Sequence, residues 1–115
     1  MRFRRPRDSL AGECTSGDRR MITLIATLRV KPGRMNEAIE ALREAVPRIR
    51  ANEPGCLEYM PHTVNGDDST LIFYEKYRDK ESLQAHSANM VKSLERLLPL
   101  LEPGMDIKTC REVLG

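Results

Sequence analysis

Residues 22–52 read ITLIATLRVKPGRMNEAIEALREAVPRIRAN, and within them the apolar period changes from 2 to about 3.6. In residues 22–30, Ile22, Leu24, Ala26, Leu28 and Val30 alternate with Thr23, Ile25, Thr27 and Arg29, which is the pattern of a strand. Lys31-Pro32-Gly33 breaks that strand. From about residue 34 to residue 52, Met35, Ala38, Ile39, Leu42, Ala45, Val46 and Ile49 share one helical stripe. Pro47 lies inside the stripe and predicts a kink or an end to the regular helix near its third turn. The turn Asn52-Glu53-Pro54-Gly55 closes this first strand–helix unit.

Working outward, residues 56–64, CLEYMPHTV, form a second strand, and Pro61 confines its far half to an edge or a bulge. Asn65-Gly66-Asp67-Asp68 is a hairpin signal, and residues 69–77, STLIFYEKY, make the third strand. Asp79 suits a helix cap, with Glu81 in the first turn. The helical region then runs to about residue 101, with a break near Asn89. Its stripe reads Leu83, His86, Met90, Val91, Leu94, Leu97, Leu98 and Leu101. Pro103-Gly104 ends it, and residues 105–113, MDIKTCREV, close the chain as a fourth strand.

This β-α-β-β-α-β order predicts an α+β, ferredoxin-like protomer, a four-stranded antiparallel sheet with both helices on one face. The other face is not polar, because Ile25, Ile72 and Tyr74 point there with threonine methyls between them. A sheet that is apolar on both sides needs a second layer, and the same sheet of another copy can supply it. The sequence therefore predicts a homodimer.

With 115 residues the chain has room for one domain, assigned to residues 21–115. Residues 1–20 carry six Arg against Asp8, Glu13 and Asp18 but no apolar segment of the kind a signal peptide has. They read as a disordered basic tail, or as an extension upstream of a working start at Met21. The remaining residues are close to neutral, with 13 basic and 14 acidic side chains. Near-neutrality and an aromatic count of three Tyr, two Phe and no Trp both argue against nucleic acid. No apolar run approaches the roughly 18 residues of a membrane span. Cys14, Cys56 and Cys110 are odd in number and lack metal-ligand spacing, which suits a reducing cytoplasm. His62 and His86 lie far apart in sequence without a carboxylate cluster, a poor basis for a metal site. There is no phosphate loop or dinucleotide fingerprint.

Four blocks carry a resemblance. Val30-Lys31-Pro32-Gly33 follows the first strand, then come Glu53-Pro54-Gly55-Cys56-Leu57-Glu58-Tyr59, Phe73-Tyr74-Glu75-Lys76-Tyr77-Arg78-Asp79 and Ala85-His86. In this order and spacing the chain resembles the antibiotic biosynthesis monooxygenase (ABM) domain family, in its small quinol-monooxygenase-like branch. The resemblance implies a dimeric α+β barrel built from two ferredoxin-like protomers. It also implies oxygenation of a quinol or another hydroxylated aromatic with dioxygen and no cofactor. Two positions depart from the family pattern, since Tyr77 stands where Trp is common and Val91 where many members have a second His. Haem-degrading relatives depend on a Trp, and this chain has none. Two other activities fit the same fold, non-catalytic binding of a small ligand by the dimer and isomerase-like processing of a small oxygenated metabolite.

The resemblance points to His86 as a catalytic base, since a near-neutral imidazole is suited to take a phenolic proton. A plain core histidine bonded to a carbonyl is the competing reading of a lone His on an apolar stripe. Glu75 shares a strand face with Phe73 and Tyr77, where a carboxylate is costly unless paired. It reads either as a supporting acid that orients His86 or a substrate hydroxyl, or as one half of an ion pair with Arg29 or Arg78. Tyr59, Tyr74 and Tyr77 are candidate walls of an aromatic-binding pocket, although tyrosine in a sheet commonly serves packing alone. His62, beyond Pro61, is expected to face solvent.

Overall fold

The computed structural model describes residues 20–114. The expected strand–helix–strand–strand–helix–strand order is present. It comprises β1 (Ile22–Val30), α1 (Met35–Asn52), β2 (Cys56–Val64), β3 (Asp67–Tyr77), α2 (Lys80–Ser93), a short 3₁₀ turn (Leu98–Leu100) and β4 (Leu101–Cys110). The strands form one antiparallel sheet in the order β2-β3-β1-β4, the ferredoxin-like arrangement. The expectation for residues 1–19 lies outside the described residues.

Register decides which side chains meet. Leu24 of β1 lies opposite Glu75 of β3, and Glu75 lies opposite Tyr59 of β2. Ala26, Phe73 and Pro61 make the next row on the same face. This face carries the core: Leu24, Ala26, Leu28 and Val30 pack with Leu71, Phe73, Tyr77 and Tyr59 beneath the buried Ala38, Leu42, Ala45 and Ile49 of α1. On the far face Ile25, Thr27, Ile72 and Tyr74 are half-buried and Met60 is exposed. The two-residue Asn65–Gly66 turn joins β2 to β3, with Gly66 at a φ of +79° that favours glycine.

Four details differ from the sequence reading. Helix α1 continues through Pro47 to Asn52. Proline removes one helical hydrogen bond, but buried Ala45 and Ile49 flank it and hold that stretch in the core. Helix α2 stops at Ser93, where the sequence predicts helix to about residue 101. Leu94, Leu97 and Leu100 stay buried because tight turns follow, with Leu97 N–H donating to Leu94 O at 2.9 Å and Leu100 N–H to Leu97 O at 2.9 Å. Val91, placed on the inward stripe by periodicity, is 70% exposed. Finally, β4 begins at Leu101 and passes through Pro103-Gly104 where a helix stop is predicted. It is an edge strand, so Pro103 is tolerated, and the β1 register shifts between Leu28 and Val30 to accommodate the extra residues. No helix of the described residues is long and apolar enough to cross a membrane.

Candidate functional site

Helix α2 delivers the imidazole. Its N-cap, Asp79, accepts hydrogen bonds from Ser82 N–H at 2.9 Å and from the Ser82 hydroxyl at 2.6 Å, which fixes where the helix starts. His86, two turns in, is 4% exposed. It faces a cavity of about 90 Å³ lined mainly by apolar groups, among them Leu24, Phe73, Leu83 and Met90, with Tyr59 and Glu75. Met105 and Ile107 of β4, both partly exposed, complete the wall on the open side.

The sequence reading missed the partner of His86. Its Nδ1 lies 2.8 Å from Oε1 of Glu53, a carboxylate only 8% exposed. Glu53 caps the end of α1, with its N–H donating to Ile49 O at 2.9 Å. The following turn is tied down by Cys56 N–H donating to Glu53 O at 2.9 Å and Arg78 N–H donating to Gly55 O at 2.8 Å. Glu53 belongs to no periodic stripe, so patterning does not mark it; a charged residue inside a Glu-Pro-Gly turn beside the core strands is the available signal. The contact joins a ring nitrogen to a carboxylate oxygen inside the core, 33 residues apart in sequence.

Glu75 is buried at 6% exposure, as strand parity predicts, but its hydrogen-bond partner is neither of the two arginines expected for an ion pair. The Tyr77 hydroxyl donates to Glu75 Oε1 at 2.7 Å. Arg29 lies exposed on a position whose neighbours face the other side of the sheet, and Arg78 pairs with Asp79. Among the described residues, the side-chain hydrogen bond of His86 is to Glu53 and that of Glu75 is from Tyr77. Burial raises the Glu75 carboxyl above the usual carboxylate range, with the Tyr77 hydroxyl and His86 drawing it part of the way back. Burial, and then the nearby Glu75, push the Tyr59 and Tyr77 phenols upward, so both remain protonated donors. Burial, followed by the carboxylates of Glu53 and Glu75, raises the Cys56 thiol to about 11.

The three candidate tyrosines have different positions. Tyr59 lines the cavity, with its ring centroid 5.1 Å from that of His86 and 5.5 Å from that of Phe73. Tyr77 packs 5.4 Å from the His86 ring but does not line the cavity, and its hydroxyl donates to Glu75. Tyr74 pairs with Ile25 and Met60 on the opposite face of the sheet and has no part in this cavity. His62 is exposed, with its Nδ1 3.0 Å from Met60 O. Among the described residues, no three His, Cys, Asp or Glu side chains gather closely enough to hold a metal ion.

The fold has counterparts among known proteins. The family model for the antibiotic biosynthesis monooxygenases matches residues 21–90, from the first strand through His86. The fold superposes on a Caulobacter crescentus structure named as a candidate member of that family, with a TM-score of 0.74 at 22% identity over 88% of this chain and 97% of the other. A Nitrosomonas europaea structure so named gives 0.72 at 18% identity, over 82% and 91%. A Pseudomonas aeruginosa structure gives 0.68 at 27% identity, over 82% and 95%. An uncharacterized protein of Synechocystis is 30% identical over 84 residues, which is 73% of this chain and 56% of that protein, so the chain spans little more than half of its relative. The family model matches well over half of the chain, including β1, α1, β2, β3 and the part of α2 that carries His86, and on that match this chain belongs to the antibiotic biosynthesis monooxygenase family.

Proposed function

We propose that the protein is a cofactor-independent monooxygenase that oxidises a quinol or related hydroxylated aromatic with dioxygen, working as a homodimer in a reducing compartment such as the cytoplasm. The observation that carries this reading is His86, a buried imidazole set into a cavity that is otherwise largely apolar and aromatic. Deprotonating a phenolic hydroxyl there yields an electron-rich anion able to pass an electron to dioxygen, and a dry wall protects the resulting intermediates from water. Glu75, whose carboxyl burial holds toward its neutral form, and the protonated Tyr59 can engage further oxygens of the substrate. The cavity's size supports a small ligand. About 90 Å³ is well under the roughly 300–1,000 Å³ of typical ligand pockets, which favours a single ring over a fused polycycle. Dimerisation is supported by the far face of the sheet, where Ile25, Ile72 and Tyr74 remain half-covered and Met60 exposed.

The test is oxygen uptake with a reduced monocyclic quinol by the purified protein, before and after metal chelation. Uptake is expected to survive chelation and to fall about 10²–10⁴-fold in His86→Ala, the usual consequence of removing a general base. Uptake that vanishes with chelator and returns with added metal would overturn the cofactor-free mechanism. Tight quinol binding without any oxygen uptake would identify a ligand-binding dimer instead of an enzyme.

A further inference from the structure

Glu53 is unusually placed for a helix-capping residue. Its carboxylate meets His86 in the protein interior, and the residue also lines a polar cleft of about 350 Å³ with Arg48, Lys92 and Glu95. His86 lines the apolar cavity, whereas Glu53 does not. The imidazole thus stands between the apolar cavity and the Glu53 carboxylate. Leaving a carboxylate this buried without a partner is costly. Among the described residues, the side-chain hydrogen bond of Glu53 is the one to His86. This is the arrangement in which a carboxylate selects the tautomer of a histidine and stabilises its protonated form.

We propose that Glu53 is the positioning residue of His86: its carboxylate holds the Nδ1 proton, leaves Nε2 bare toward the cavity, and balances the imidazolium formed when a phenolic substrate is deprotonated. The proposal rests on the reading of His86 as a base. In the step concerned the phenolic O–H bond breaks, an Nε2–H bond forms, and the oxygen keeps the electron pair. Nothing is oxidised or reduced at that point. The later transfer of an electron to dioxygen belongs to the substrate anion.

The experiment uses 4-nitrophenol, whose anion absorbs visible light and whose neutral form does not. It is titrated into the full-length protein and into Glu53→Gln and His86→Gln at one mildly acidic pH. The wild-type protein is expected to bind the probe largely as the anion. In Glu53→Gln the ratio of bound anion to bound neutral probe should drop about tenfold or more, equivalent to a shift of one pKa unit or greater. In His86→Gln the bound anion should disappear. A Glu53→Gln protein that matches wild type while His86→Gln loses the anion overturns the role of Glu53 and leaves the base intact. A wild-type protein that binds no probe at millimolar concentration, or binds only the neutral form, overturns the base and this proposal with it. Nitrogen-15 spectra of the histidine rings, with His62 removed by His62→Gln, supply a readout that requires no change at Glu53. The proton of His86 is expected on Nδ1, and finding it on Nε2 rules the proposal out whether or not Glu53→Gln folds.

Discussion

Glu75 shows how burial and strand parity create reactive groups. Its position opposite Leu24 and Tyr59 forces the carboxylate into the core, where the Tyr77 hydroxyl is its hydrogen-bond donor. Burial raises its folded pKa above the value in the unfolded chain. A carboxyl shifted in that direction favours the fold while it is protonated, and the contribution is lost as pH rises through the folded value. Glu75→Gln keeps an acceptor for Tyr77 and removes the titration. It is expected to melt above wild type at pH 8, with the difference shrinking or reversing at pH 4. Equal differences at the two pH values would show that Glu75 is not the source of the dependence. The positions of Glu75, His86 and Tyr59 are legible in the sequence because each lies on an apolar period, two in strands and about 3.6 in helices. Glu53 was not legible because a turn has no period, and its contact with His86 joins residues 33 positions apart. For Tyr74 the same parity argues against the cavity, since it alternates with Phe73 and Glu75 and so shares the far face with Ile72.

At the scale of elements, the site depends on how closely the turn after α1 approaches the start of α2. Gly55 permits that approach. A Cβ at residue 55 would stand 1.9 Å from Ser82 Oγ and 2.5 Å from Ser82 Cβ, distances that force a shift. Ser82 also donates to Asp79, so the side chain that would be displaced is part of the α2 cap. Gly55→Ala is thus expected to destabilise the fold by about 1–3 kcal/mol, the usual range for overpacking. It should also move Glu53 relative to His86. Ser82→Gly removes the obstructing atoms, and the double variant Gly55→Ala/Ser82→Gly should recover part of the loss. Urea titrations of the four proteins measure this coupling, and strictly additive losses would disprove the contact. The glycine was legible as a turn residue, but its tight packing was not, because the contact is made with a helix that starts 25 residues later. The helix ends were the least legible feature. Leucines at 94, 97 and 98 continue a helical spacing that a 3₁₀ or irregular turn satisfies equally well, since residues three apart share a face in both.

For the whole molecule, the unequal treatment of the two sheet faces sets the remaining expectation. The helices bury one face, while the other presents Ile25, Thr27, Ile72 and Tyr74 half-covered on the two central strands. A central strand that alternates Leu71, Ile72, Phe73 and Tyr74 has no polar side to give to water. Contiguous exposed apolar surface of this kind marks an interface, and a two-fold partner of the same sequence presents the same face. The protein is therefore expected to sediment at twice its 13.1 kDa chain mass at micromolar concentration. Ile72→Lys places a charge at the centre of that face without touching the helix-covered core, because Ile72 pairs with Thr27 and His62 on the far side. The variant is expected to sediment as a folded monomer with the helical circular dichroism of wild type. A monomeric wild-type protein across the micromolar range would refute the dimer. A dimeric Ile72→Lys would place the interface elsewhere, with the exposed Met105 and Ile107 of edge strand β4 as the next surface to test. The consequence for the site is direct, because those two residues form the open wall of the His86 cavity. A partner seated on β4 would enclose the cavity, whereas one seated on the far face leaves its mouth free for the ligand.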